Sequence, residues 1–163
     1  ALEKENLGTI VGWCCEELPE HKPRHLLGIS EPDDFFTAIE NGADTFDCVS
    51  PSRVARNAAL YTPDGRFNVN TAAHRRSFIP VDKTCDCYTC THYTRAYLHH
   101  LFKAHEMLAC TLCTIHNERF IVRLVDDIRT SIEDGTFDEL RAQFLGRYYA
   151  SRPLLASQAG RGT

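Results

Sequence analysis

Residues 24–49, RHLLGISEPDDFFTAIENGADTFDCV, form the stretch that decides the fold class. The apolar run over 24–30 predicts a buried strand, and Pro32 predicts the start of a helix because proline suits the first helical position. Gly42 is a typical helix cap, and residues 44–49 predict a second buried strand. Strand, helix and strand within 26 residues indicate a βαβ unit with parallel strands, which is one step of an α/β sheet or barrel.

The sequence outside this unit predicts a loop, a hairpin and several helices. Residues 51–57 are polar and basic, which predicts a loop. Thr-Pro-Asp-Gly at 62–65 is a turn signal between two short strands. Elsewhere apolar residues recur at helical spacing. The helices predicted from that spacing cover residues 7–13, 92–102, 106–133 and 136–150.

The bulk composition predicts a globular protein with its own core. The chain has 163 residues, of which 43% are hydrophobic and 25% charged. No apolar run approaches the roughly 20 residues of a membrane span, and the first residues lack the pattern of a signal peptide. We therefore expect a cytoplasmic protein without a membrane partner. Because the sequence does not begin with Met, we also expect it to be a piece of a longer chain.

The charge is unevenly distributed along the chain. The formal net charge of −4 argues against broad, non-specific binding of nucleic acid, which requires a basic surface. The middle of the chain is nevertheless basic, since residues 49–81 hold five arginines and only one acidic residue, Asp64. An anionic partner is therefore expected to bind in this middle segment.

Three of the eight cysteines form a tight group, Cys85-Asp-Cys87-Tyr-Thr-Cys90. A disulfide framework is disfavoured without a secretory signal, so metal binding and burial are the alternatives. Zinc takes four Cys or His ligands in a tetrahedron, and His116 fits as the fourth, with 25 residues between it and Cys90. Four protein ligands leave no open position, which predicts a structural zinc.

Other cysteines and histidines nearby compete for the same metal. Cys110, Cys113 and His116 fall on one helical face, but small buried core residues are the simpler interpretation of the two cysteines. The remaining histidines of this region are interpreted as exposed or capping residues. They are His92, His99, His100 and His105.

A carboxylate and two arginines follow the second predicted strand. Asp47 lies at its carboxyl end, where functional groups gather in parallel α/β folds, and a carboxylate can attack a sugar carbon. A loop-capping Asp is the simpler alternative. Arg53 and Arg56, three residues apart, suit phosphate oxygens, and two solvated arginines are the alternative there.

Taken together, these residues resemble the tRNA-guanine transglycosylase family, most strongly its bacterial form. The resemblance runs from about residue 20 to residue 150, and a cysteine knuckle, a nucleophile loop and a distal His in this order make it specific. The matching segments are Leu26–Ser30, Thr45–Asn57, Cys85–Cys90, Tyr93–Leu101 and His116-Asn117.

The resemblance implies the C-terminal portion of a (β/α)8 barrel with a helical zinc-binding subdomain. Residues 1–60 would then be the last barrel units with the nucleophile loop, 61–150 the zinc subdomain and 151–163 a tail. It implies an enzyme that exchanges guanine at the anticodon wobble position of tRNA for a 7-deazaguanine base. Asp47 would attack C1′ of the ribose and form a covalent intermediate.

The resemblance also assigns the remaining site residues. Leu27 and Gly28 would border the base pocket, and Arg53 and Arg56 would hold neighbouring anticodon nucleotides. The zinc ligands would be Cys85, Cys87, Cys90 and His116. It further implies a homodimer that forms through the zinc subdomain.

Two departures from the family pattern concern the loop, where Ser50 replaces a commoner apolar residue and Ala58 a commoner glycine. The family chain is also more than twice as long, and its N-terminal part holds the general acid/base and most of the base pocket. We therefore expect this chain to be inert alone. A non-catalytic tRNA-binding or dimerisation subunit and an unrelated zinc-stabilised interaction module are the other hypotheses.

Overall fold

The computed structural model describes residues 6–29 and 31–150, and the predicted tail at 151–163 lies outside them. This described part holds seven α-helices and four short strands, so the predicted α/β class is correct and helix predominates. The helices are α1 Leu7–Glu17, α2 Pro32–Glu40, α3 Ser50–Arg56, α4 Tyr88–His92, α5 Arg95–Lys103, α6 Met107–Glu133 and α7 Phe137–Ala150. The strands are β1 His25–Leu27, β2 Thr45–Asp47, β3 Ala59–Thr62 and β4 Gly65–Asn68.

The predicted βαβ unit is present as β1, α2 and β2, which we call the parallel-strand unit. The two strands pair in parallel, with Leu26 opposite Phe46 and Leu27 opposite Asp47. Leu26 and Phe46 pack against the buried aromatic side chains of α2, and the Phe35 and Phe46 rings meet edge to face at 5.1 Å. The unit therefore has a core on one face of its sheet.

The prediction that both strands are buried is wrong. Side chains alternate between the two faces of a strand, and only the face that carries Leu26 and Phe46 is covered by other elements. The opposite face is exposed, with Leu27 70% accessible to solvent. Only two strands belong to this sheet in the described residues, so the sheet does not curl round to enclose that face.

Residues 50–56 form the helix α3, so the loop predicted there is wrong. Pro51 occupies the first helical turn, where its missing N–H is no disadvantage. Ala55 is fully buried, and the buried Asn117 of α6 donates from Nδ2 to the carbonyl of Pro51 at 3.0 Å. Packing on α6 therefore makes this short polar segment helical.

The predicted hairpin is present as β3 and β4, joined by Pro63 and Asp64. Gly65 follows with φ +105°, and a Cβ there would lie 2.9 Å from the backbone oxygen of Tyr148. Glycine is therefore required both by the turn and by the close approach of α7. The bidentate ion pair between Arg147 and Asp64 joins the same two elements at 2.7 and 3.2 Å.

The long helix α6 has 27 residues and forms the centre of the fold. It contacts α2, α3, α4, α5, α7 and β3. The predicted helix from His92 is interrupted, because α4 ends at His92 and α5 begins at Arg95 with Thr94 as its cap. The helix predicted over 7–13 extends to Glu17. None of the described helices combines the length and apolar character needed to cross a membrane.

Candidate metal centre and carboxylate site

Four ligand groups converge where α4 meets α6: Cys85, Cys87, Cys90 and His116. Their sulfur and nitrogen atoms all lie within 4.8 Å of one another, and His116 Nδ1 lies 3.3 Å from Cys90 Sγ and 3.6 Å from Cys87 Sγ. Ligand atoms on a tetrahedral zinc lie about 3.5–3.8 Å apart, given bonds of about 2.3 Å to sulfur and 2.0 Å to nitrogen. The spacing and the donor set suggest a metal site.

The orientation of the His116 ring supports the same conclusion. Its Nε2 donates a hydrogen bond to the backbone carbonyl of Tyr61 at 2.7 Å, so Nδ1 of the neutral ring turns its lone pair toward the sulfur atoms. Metal-binding histidines commonly fix their tautomer through such a bond from the other nitrogen. The ring is fully buried, and this bond holds it in one orientation.

The three thiols cannot ionise independently within this small space. Hydrogen bonds from Cys85 and Cys90 lower the pKa of Cys87, whereas sharing a proton with Cys85 and Cys87, together with burial, raises the pKa of Cys90. Without a cation, the negative charge on the Cys87 thiolate disfavours ionisation of the neighbouring Cys90 thiol. A divalent metal removes that conflict because each ligand binds it as the thiolate.

The cysteine knuckle is fixed by backbone capping and by two arginines of α6. Cys87 is the N-cap of α4, and its sulfur accepts from the backbone N–H of Cys90 at 3.3 Å. Arg119 forms a bidentate pair with Asp86 at 2.7 and 2.8 Å, and Arg123 donates to the carbonyl of Thr84 at 2.9 Å. The knuckle therefore belongs to the same rigid unit as the helix that carries His116.

Neither competing cysteine joins the cluster. Cys113 is fully buried in the core, and burial raises the pKa of its thiol to about 12, so it stays protonated. Cys110 is partly buried and lies outside the cluster as well. The interpretation of His99 as exposed or capping is wrong, because it is buried and its Nδ1 donates to the carbonyl of Val69 at 3.0 Å.

Asp47 ends β2 on the open face of the parallel-strand unit, with 63% of its side chain exposed. The backbone N–H of Gly28 donates to the Asp47 carbonyl at 2.8 Å and lies 3.3 Å from its carboxylate. Leu27 is its partner across the strands, so the residues predicted to border a base pocket are direct neighbours of this carboxylate. Gly28 has φ +78°, a left-handed conformation that favours glycine.

His25 also faces Asp47, a position that was not predicted from the sequence. Its Nε2 lies 3.5 Å from the carboxylate, and its Nδ1 lies 2.8 Å from Thr45 Oγ1. A neutral ring that accepts from Thr45 at Nδ1 presents an N–H to Asp47. Only the register of the two strands could have predicted this contact. In that register His25 lies opposite Thr45, on the face that carries Asp47.

Arg53 and Arg56 lie one helical turn apart on α3 and both are exposed. Neither guanidinium makes an ion pair within residues 6–29 and 31–150, so both are available to an anion. Of the two departures in this segment, Ser50 is the first residue of α3. Ala58 follows the helix with φ +62°, the left-handed conformation in which glycine is more favourable.

Asn117 has a structural role that, like the position of His25, was not predicted from the sequence. It is fully buried, and its Oδ1 accepts from the backbone N–H of Tyr61 at 3.1 Å. Its Nδ2 donates to the carbonyls of Pro51 and Ala59 at 3.0 and 2.9 Å. One side chain therefore ties α3 and β3 to the helix turn that carries His116.

Comparison with known proteins relates this chain to a single family. A family model described as queuine tRNA-ribosyltransferase matches residues 2–150. The chain is 47% identical over 133 residues to a queuine tRNA-ribosyltransferase of Symbiobacterium thermophilum, covering 82% of this chain and 33% of that protein. A Vibrio atlanticus protein of the same name is 42% identical over 156 residues, covering 96% and 41%. The chain thus spans about a third to two fifths of the length of these relatives.

Proposed function

The chain belongs to the queuine tRNA-ribosyltransferase family, and we propose that it is the C-terminal part of an enzyme that exchanges the wobble guanine of tRNA for a 7-deazaguanine base. The observation that carries the proposal is Asp47, an exposed carboxylate beside Gly28 at the carboxyl ends of two parallel strands. That edge is where α/β folds collect their reactive groups. We further propose that the two strands are the last units of a (β/α)8 barrel.

In this mechanism the Asp47 carboxylate displaces guanine from the ribose. An oxygen of Asp47 forms a bond to C1′ while the bond from C1′ to the guanine nitrogen breaks, and its electron pair leaves with guanine, which takes up a proton. A nitrogen of the incoming base then attacks C1′, loses a proton and releases the carboxylate. Two displacements retain the configuration at C1′, as in retaining glycosidases.

The neighbours of Asp47 support this role through their geometry. The N–H of Gly28 and the imidazole of His25 both face the carboxylate, and they orient an oxygen that would otherwise rotate freely. Leu27 and Gly28 would border the bound base. Arg53 and Arg56 would bind the neighbouring anticodon nucleotides, since their guanidinium groups have no carboxylate partner in the described residues.

The metal would be a structural Zn²⁺ held by Cys85, Cys87, Cys90 and His116. Bound there, it supplies charge neutralisation and cross-linking, because four protein ligands leave no position for a reactant. We propose 1–60 as the barrel part, with 61–150 as the zinc subdomain and 151–163 as its tail. The subdomain would position α3 and its two arginines, since Asn117 adjoins His116 and binds the start of that helix.

We propose that the chain alone does not catalyse the exchange. The face of the sheet that carries Asp47 is open to solvent, whereas base exchange must exclude water from the covalent intermediate. A homodimer through the zinc subdomain is supported by exposed aromatic residues in α4 and in the segment before it, including Tyr88 at 51% and Phe78 at 76% exposure. A tRNA substrate also favours action in the cytoplasm.

The direct test is incorporation of labelled guanine into unmodified tRNA by a full-length protein that carries this chain. We expect incorporation by the unaltered protein and none by Asp47→Asn, which is isosteric but a far weaker nucleophile. Asp44→Asn is the matched control, because Asp44 adjoins the same strand and caps the backbone N–H of Arg24 instead. We expect that control to retain activity.

The same experiment tests the alternative of a non-catalytic tRNA-binding or dimerisation subunit. That alternative predicts tRNA binding without incorporation, with no difference between Asp47→Asn and the unaltered protein. Incorporation that survives in Asp47→Asn would instead assign the chemistry to another group. An unrelated zinc-stabilised interaction module is excluded by the family match.

A further inference from the structure

A basic cavity of about 580 Å³ lies between the short 3-10 helix Ala72–His74 and α5. Its lining is formed by four basic residues and two alanines, and no acidic residue belongs to it. The lining residues are Ala72, Arg75, Ala96, His99, His100 and Lys103. The small side chains of the two alanines leave room for the cavity, and the basic side chains surround it.

Ion pairs neutralise some of the cationic groups in the described residues, but they do not neutralise those of this cavity. Five arginines reach a carboxylate elsewhere: Arg66, Arg119, Arg123, Arg141 and Arg147. Within residues 6–29 and 31–150, Arg75, His100 and Lys103 make no ion pair. Burial, reinforced by the positive charge of Arg95 and by His99, lowers the pKa of nearby His74. The region therefore has a positive potential that its own residues do not neutralise.

The walls of the cavity are held in place by hydrogen bonds. His99 is buried and donates from Nδ1 to the carbonyl of Val69 at 3.0 Å. The first turn of α5 is fastened to the segment that follows the 3-10 helix, since Ala96 N–H donates to the carbonyl of Ser77 at 2.9 Å. Arg75 and Lys103 therefore project from two elements that are fixed to each other.

The cavity neighbours the carboxyl end of α3, which carries Arg56. Asn68 Nδ2 donates to the carbonyl of Asn57 at 3.1 Å, and Val69 N–H donates to that of Ala58 at 2.9 Å. The carbonyl of the same Val69 accepts from His99 at the cavity. A single stretch of backbone thus links the cavity to the end of the helix that carries Arg56.

We propose that this cavity binds a backbone phosphate of the tRNA, outside the anticodon nucleotides assigned to Arg53 and Arg56. The inference rests on the proposed function, which supplies tRNA as the partner. An arginine fork and a lysine ammonium are typical phosphate ligands, and His100 adds a third donor at the rim. Such a contact fixes the register of the RNA without reading its sequence.

The test is titration of a zinc-loaded full-length protein that carries this chain with a fluorescent anticodon stem-loop RNA, at several salt concentrations. We expect Arg75→Ala and Lys103→Ala each to weaken binding several-fold and to reduce the salt-dependence slope by about 0.7–1, the effect of one lost phosphate contact. Arg129→Ala is the control, because it removes an exposed arginine of α6 outside this cavity. Zinc content and helicity should be unchanged in all three variants.

The outcomes separate this inference from the proposed function. If Arg53→Ala weakens RNA binding while both cavity variants bind with the original affinity and slope, the cavity proposal is wrong and the tRNA assignment stands. If the cavity variants lose affinity for inorganic phosphate but not for RNA, the site binds a free anion and the proposal is also wrong. Absence of RNA binding by the unaltered full-length protein would overturn the cavity proposal together with the tRNA assignment.

Discussion

The metal-cluster region and the parallel-strand unit place their polar groups in opposite environments. The metal-cluster region comprises the hairpin, α4, α5 and the first half of α6. In it His116 and Asn117 are fully buried, and their ring and amide groups have partners. In the parallel-strand unit, Asp47 and Leu27 are mostly exposed. One region is closed around its polar groups, and the other presents them to solvent.

This difference separates residues that maintain the fold from residues available for chemistry. Buried polar groups require partners, so each member of the cysteine cluster and its supporting bonds is needed for stability. Asp47 and its neighbours stabilise little by comparison and remain free to meet a ligand. We therefore expect substitutions in the metal-cluster region to lower the free energy of unfolding, and substitutions around Asp47 to lower activity with little effect on folding.

The largest effect should come from removing a metal ligand. Cys90→Ser is expected to abolish stoichiometric zinc binding and to unfold the metal-cluster region, since structural zinc contributes on the order of 10 kcal/mol to small domains. Zinc analysis and thermal melting by circular dichroism measure both. A strong chelator should reproduce the effect on the unaltered chain.

Cys110→Ser provides the matched control for that experiment, because Cys110 lies on α6 outside the cluster. We expect this variant to keep about one zinc per chain and to melt near the unaltered protein. Equal zinc loss in both variants would contradict the assignment of the fourfold cluster.

A smaller but substantial effect is expected from Asn117→Ala. The change leaves the N–H of Tyr61 and the carbonyls of Pro51 and Ala59 without their side-chain partner. We expect a loss of about 3 kcal/mol in the free energy of unfolding, the scale of buried polar groups left unpaired. Urea denaturation measures it, and Asn57→Ala on the exposed end of α3 should cost far less.

A comparison of two buried alanines tests the left-handed backbone after α3. Ala58→Gly relieves about 1 kcal/mol of strain at φ +62° and loses a comparable amount through methyl burial and chain entropy, so little net change is expected. Ala55→Gly lies in the helix itself and should cost about 1.5–2 kcal/mol. Equal losses in urea denaturation would show that Ala58 is not strained.

The smallest expected effect concerns the exposed pair Asp64–Arg147. The hydrogen bond from Arg147 lowers the pKa of Asp64, so the stabilisation is present at neutral pH and disappears as pH falls through that lowered pKa. Asp64→Asn should therefore cost at most about 0.5 kcal/mol at pH 7 in low salt. Above about 1 M salt, or at a pH well below that lowered pKa, the variant and the unaltered chain should unfold alike.

Local patterns in the sequence were sufficient for the βαβ unit, the hairpin and the long helices. Each depends on short-range signals, such as Pro32 at a helix start or the Pro63-Asp64-Gly65 turn. Helix α3 was not predicted because its helicity depends on packing against Asn117, which lies 66 residues further along the chain. Tertiary contacts of this kind override a weak local preference.

The candidate site was predictable to the extent that residue type and spacing identify a ligand. The spacing of Cys85, Cys87 and Cys90 indicates a metal directly, and the distal His116 then completes the set. The position of His25 beside Asp47 was not predictable, because it depends on how β1 and β2 align. The open face of the two strands was also missed, since an apolar run does not reveal which of its sides is covered.

The most direct test of the account is to identify the residue that becomes bonded to RNA. A full-length protein carrying this chain is incubated with unmodified tRNA without an incoming base, quenched under denaturing conditions, digested and mapped by mass spectrometry. The account predicts a ribose adduct on the peptide containing Asp47, and no adduct in Asp47→Asn. An adduct on another residue, or an undiminished adduct in Asp47→Asn, would contradict it.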